Sequence, residues 1–162
     1  MLFGFPNSVN EKAARVVAGV VGLTGVVILL TGAHWLLVPL AYGFWARVLT
    51  GPRLSPLGRV AMSVVAPRLG PPKYVAGPPK RFAQGMGAAF TTVAAVLALG
   101  FGADTAADVL TACLVVAATL ESVFALCLGC QVFAVLMRLG LVPQETCERC
   151  ANIWAAPDAG RP

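Results

Sequence analysis

The apolar run from Val16 to Leu30 is the strongest constraint on what this chain can fold into. With its flanks, a helix rising ~1.5 Å per residue through this run covers a ~30 Å hydrocarbon core. The run is not isolated, because 58% of the 162 residues are hydrophobic and only 12% are charged. A soluble domain carries about 25% charge, and one of this length exposes too much surface to cover with so few polar side chains. The expected solvent is therefore lipid. A cleaved signal peptide fits poorly: Ser8, Val9, Asn10 and Glu11 have the form of a capping box that starts a helix, and more apolar sequence follows where a soluble domain should be.

The expected fold is all-α, an integral membrane four-helix bundle with a short interfacial helix and a C-terminal helical hairpin. One domain covers residues 1–154, and a flexible tail follows at 155–162. Spans are predicted over about 13–31, 34–49, 83–102 and 106–129. Ala14, Ala18 and Gly22 on helix 1, and Gly87, Thr91 and Ala95 on helix 3, recur every four residues and offer shallow grooves for close helix approach. On helix 2, Trp35 and Trp45 mark the interfaces and Pro39 predicts a kink. Asp104 is placed to cap helix 4. The apolar pattern of helix 4 runs unbroken to about residue 139, ~50 Å of helix, so part of it must leave the bilayer.

The connection 51–82 is rich in Pro and Gly and holds Arg53, Arg59, Arg68, Lys73, Lys80 and Arg81. Ser55-Pro56 reads as a helix start, and Leu57, Val60, Ala61 and Val64 form a narrow apolar stripe suited to a membrane surface. The repeated Gly-Pro-Pro-Lys at 70–73 and 77–80 predicts a stiff polyproline connector. Basic residues in this loop place it, and with it both termini, on the cytoplasmic side of a bacterial plasma membrane. Topology and anionic lipid thus account for the net charge of +5, and nucleic acid is excluded as a partner.

The residues with chemical potential are few. Cys127-Leu128-Gly129-Cys130 and Cys147-Glu148-Arg149-Cys150 are two CxxC pairs separated by sixteen residues, a spacing that suits a four-thiol zinc site. A chain reversal near Gly140 and Pro143 would bring the pairs together at the cytoplasmic face. The same thiols, with Arg149 beside Cys147 and Cys150, also suit thiol exchange. Cys113 reads as a small hydrophobe. Glu121 is a carboxylate inside a span, expected to face inward as a neutral acid bonded to a Thr of helix 3, or else to transfer protons. On one continuous helix it points away from Cys130. His34 reads as an interfacial histidine.

Several segments also resemble a known family. Phe5-Pro6-Asn7 through Asn10-Glu11, Gly51 to Pro56, Pro71-Pro72-Lys73, Gly77 to Gly85, CLGC and CERCANI occur in the order found in DUF4395 proteins, small membrane proteins that are mostly actinobacterial. No activity is implied. The resemblance does imply soluble thioredoxin-like or sulfurtransferase partners. Three functions are therefore carried forward: a membrane-anchored thiol or sulfur relay using Cys127, Cys130, Cys147 and Cys150; a structural zinc clamp on the same four thiols; and a small transporter using Glu121.

Overall fold

The first helix starts at Glu11, later than the capping box predicts. In the computed structural model, which describes residues 8–143, strand β1 (Ser8–Asn10) pairs antiparallel with β2 (Tyr74–Ala76), Ser8 opposite Ala76 and Asn10 opposite Tyr74. Ser8 is therefore not a cap. Asn10 takes that place, its side chain accepting from the Lys12 amide at 3.1 Å. The Glu11 amide donates to the Lys73 carbonyl at 2.8 Å, and its carboxylate meets Lys73 Nζ at 2.9 Å. A ribbon pairs several backbone groups together, which outweighs a box that serves two.

Helix α1 (Glu11–Thr31) ends at Gly32, whose φ of 67° lets the chain leave in the left-handed conformation. One 3-10 turn, His34–Leu36, leads into α2 (Leu37–Thr50). Pro39 lies in the first turn of α2, near the helix start as expected, where its missing N–H leaves no gap in the ladder. The Ser55 hydroxyl caps α3 (Pro56–Val60) by accepting from the Gly58 amide, as its sequence predicts. A π-helical turn (Ala61–Val65) joins α3 to α4 (Ala66–Arg68). Ala61, Ala66 and the partly buried Leu57 pack into the core that α1 contributes to, while Val60 and Val64 are exposed.

The two Gly-Pro-Pro-Lys copies differ in structure. The first leads into β2, whereas the second is the opening turn of α5 (Gly77–Ala95), which continues as a π-helical turn over Val96–Gly100. Proline is tolerated at a helix start because the first N–H groups have no intrahelical partner. Helix 3 therefore begins before residue 83. Helix α6 (Asp104–Phe124) follows, and Asp104 does not cap it.

Beyond Phe124 the expected continuous helix breaks. Ala125 adopts φ 56°, and α7 (Leu128–Arg138) starts afresh. No glycine or proline marks the break; side chains satisfy both loose ends. Arg15 donates to the carbonyls of Ser122 at 2.9 Å and Val123 at 3.1 Å, supplying the C-terminal carbonyls of α6 with a cation. At Gly129 a Cβ would sit 2.5 Å from the Ala83 Cα, so α7 approaches α5 more closely than any side chain allows.

Helix α1 lies along α6 and α2 along α5, with α7 against α5. The small-residue grooves make these contacts: a Cβ at Gly22 would touch that of Ala118 at 3.4 Å, and one at Gly87 would enter the Phe44 ring. Alanines dominate the interior, while Leu23, Leu30, Phe101 and Phe124 are exposed. Small residues inside and large apolar ones outside suit a bundle solvated by lipid. Among the described residues three helices are long and apolar enough to cross a membrane, Glu11–Thr31, Gly77–Gly100 and Asp104–Phe124. The predicted span over 34–49 is shorter, since the 14 residues of α2 cover only ~21 Å.

Candidate functional site

The start of α7 holds one sulfur pair. Cys127 is its N-cap, and Sγ accepts from the Cys130 amide at 3.4 Å and from Cys130 Sγ at 2.7 Å. A three-residue spacing across a helix start places the two sulfurs on one side, and the amide groups there favour an anion. Cys127 is buried and Cys130 half-buried. The Cys127 thiol is held below the ordinary thiol range, first by the hydrogen bond from the Cys130 thiol and also by the Lys80 charge. Cys130 is correspondingly raised, because it donates that bond and is partly buried.

Glu121 does face inward, yet its partner is Lys80, in place of a threonine. The lysine counted as a basic loop residue is in fact 6% exposed, on the first turn of α5. Buried carboxylates need such a partner. Glu121 and Cys127 line the same cavity of about 220 Å³, between α1, α2, α5 and α6. The break after Phe124 brings them to one wall, whereas on one continuous helix they would stand ~120° apart. Cys113 also lines this cavity and is exposed on α6.

A second buried cation extends the polar chain. Arg47, on the last turn of α2, is 7% exposed, donates from Nε to Gln84 Oε1 at 2.8 Å and from Nη1 to Ser55 Oγ at 3.2 Å, and lies 4.7 Å from the Phe44 ring centre. Gln84 follows Lys80 by four residues and so shares its helix face. Arg47, Ser55, Lys80 and Gln84 were missed as site residues in the sequence. Their available signal was the four-residue spacing of Lys80 and Gln84 and the lone Arg47 closing an apolar helix. His34 is not isolated either: its ring nitrogens lie 3.5 Å from Asp104 and 2.9 Å from Asp108.

Cys147 and Cys150 lie outside the described residues, as do the return arm of the expected hairpin and the tail 155–162. Among the described residues no three His, Cys, Asp or Glu side chains are grouped to hold a metal. Cys127 and Cys130 would supply two zinc ligands of the four expected.

The family model for a domain of unknown function, DUF4395, matches residues 9–138. The chain belongs to the DUF4395 family. The matched stretch contains Arg47, Lys80, Glu121, Cys127 and Cys130, whereas the second CxxC pair lies beyond it. Curated proteins and solved structures gave this DUF4395 chain no match.

Proposed function

We propose that this protein is a membrane-anchored dithiol relay, in which Cys127 and Cys130 cycle between dithiol and disulfide against a soluble thioredoxin-like or sulfurtransferase protein. The observation that carries this reading is the contact between the two sulfurs at the N-terminus of α7, 2.7 Å apart. In the oxidised form, a partner thiolate attacks the more accessible Cys130 sulfur and Cys127 leaves as a thiolate. A thiolate of lowered pKa is the better leaving group, and the Lys80 charge and the Cys130 amide favour it here. The second partner thiol, as its thiolate, then attacks the partner sulfur of the mixed disulfide. This releases Cys130 as a thiolate and forms the partner's disulfide. Two electrons pass from partner to protein, and the reverse sequence returns them.

We place the protein in the bacterial plasma membrane, with the basic connection and both termini cytoplasmic, on the grounds of the basic residues between Arg47 and Arg81 and of four crossings, the three apolar helices and α2 lengthened by its 3-10 turn. In that compartment a resting pair is reduced and its disulfide transient. The test is a redox titration of the full chain in nanodiscs against glutathione, with maleimide gel shifts. Cys127 and Cys130 should titrate together as a two-electron couple, and Cys127→Ser should trap a purified oxidised thioredoxin, the Cys130 thiolate attacking its disulfide to give a mixed disulfide on Cys130. A pair that stays reduced at every potential and traps nothing overturns the relay. Stoichiometric zinc in the same preparation, lost on Cys→Ser substitution, would establish the clamp in its place.

A further inference from the structure

Around the pair Lys80–Glu121, buried positive and negative charge do not balance. Arg47 and Lys80 are both more than nine-tenths buried, and Glu121 is the carboxylate whose charge acts on both. Its direct contact goes to Lys80. Arg47 is held by neutral groups, Gln84 and Ser55, and its Nη2 is buried with no hydrogen-bond partner among the described residues. A guanidinium in this state loses water contacts without replacing them, which is costly unless an anion enters.

The space for one exists. Arg47, Lys80 and Gln84 line a cavity of about 190 Å³, walled further by α1, by Arg53 and by Met62 of the helical run 56–68. Its described lining includes no carboxylate. The remaining wall is largely apolar, supplied by such residues as Val9, Ala13 and Val17. Guanidinium N–H groups fit oxygen anions in a planar fork, and low-polarity walls strengthen that attraction.

We propose that this cavity, between α1, α2 and the run 56–68, binds one tetrahedral oxyanion, with the Arg47 guanidinium as its principal partner and Lys80 beside it. The oxyanion is a phosphate or sulfate group, borne by a lipid headgroup or free in solution. The site stands independently of the dithiol reading, since no cysteine is among its described lining residues.

The experiment uses the full chain in nanodiscs of zwitterionic phosphatidylcholine. In one arm, sodium sulfate or phosphate is titrated against chloride at constant ionic strength and the thermal midpoint is followed. In the other, native mass spectrometry measures retention of phosphatidylglycerol against phosphatidylcholine. One saturable site per chain is expected in at least one arm. A response to inorganic oxyanion identifies the free ion as sufficient, and retention of phosphatidylglycerol alone identifies the headgroup. Arg47→Gln should weaken binding at least tenfold, and Arg47→Lys, which keeps charge but loses the fork, should fall between. Met62→Trp, which fills the cavity from its far wall, should abolish binding even if the Arg47 variants fail to fold. Cys127→Ser with Cys130→Ser should bind normally, so failure of the relay leaves this result intact. No saturable binding in either arm, or equal binding by wild type and Met62→Trp, overturns the site.

Discussion

The two ends of the bundle treat charge in opposite ways. At one end His34, its side chain 12% exposed, lies between Asp104 and Asp108, whose carboxylates reach solvent, their side chains 64% and 43% exposed. At the other, Arg47, Lys80 and Glu121 are withdrawn into the interior beside two thiols. A carboxylate open to solvent exchanges its partner for water at little cost, whereas a buried one cannot. The difference teaches where to look for function: charge kept out of solvent is maintained by its surroundings, and here those surroundings include two cysteines.

The largest expected effect comes from breaking the buried pair. Lys80→Met should destabilise the protein by about 3–5 kcal/mol, and combining it with Glu121→Leu should recover most of the loss, as equilibrium unfolding in mixed micelles would show. A loss below ~1 kcal/mol would erase the contrast between the ends. Next is Gly129→Ala, whose new methyl would meet the Ala83 backbone. It should cost about 1–3 kcal/mol and slow disulfide closure, read by the rate of thiol loss under oxidised glutathione.

The thiol itself sharpens the comparison through pH. Because Cys127 is lowered, its labelling by methyl methanethiosulfonate should persist to more acid pH than the ~8.5 midpoint of an ordinary thiol. Lys80→Met should move the midpoint upward. An unchanged midpoint would mean that the lysine charge does not reach the sulfur. At the open end, Asp108→Asn should cost at most about 1 kcal/mol, and that loss should shrink in high salt.

The smallest effect concerns the break itself. Ala125 occupies the left-handed region, which costs an L-residue roughly 1–2 kcal/mol. Part of that is offset by the greater freedom of glycine in the unfolded chain. Ala125→Gly should therefore stabilise by up to ~1 kcal/mol, measured in the same unfolding assay; a destabilisation would show that the alanine methyl is needed for packing.

What the sequence made legible follows from local physics. Hydrophobic length predicted α1, α5 and α6, small-residue spacing predicted the faces at Gly22 and Gly87, and Ser55 before Pro56 predicted a cap. Contacts between distant segments were illegible. Ser8 looks like a cap until Tyr74–Ala76 pairs with its strand. Lys80 looks like a loop cation until a proline-led turn draws it inside. The break after Phe124 carries no local marker, because the partners that permit it are Arg15 and Ala83, both far away in sequence. The Cys127–Cys130 pair was visible as a motif, but its neighbour Glu121 seemed to point elsewhere on an unbroken helix.

The small ribbon between Ser8–Asn10 and Tyr74–Ala76 also sets an order of assembly. Its second strand is synthesised only after α1 and α2 are complete, so a chain emerging from the ribosome carries its first two helices before its beginning can be fastened. Helix α1 must then wait longer still for its main companion, α6. Early in biogenesis its glycine-lined face therefore has no partner from its own chain, and that interval is when a neighbouring membrane protein or an insertion factor has access to it.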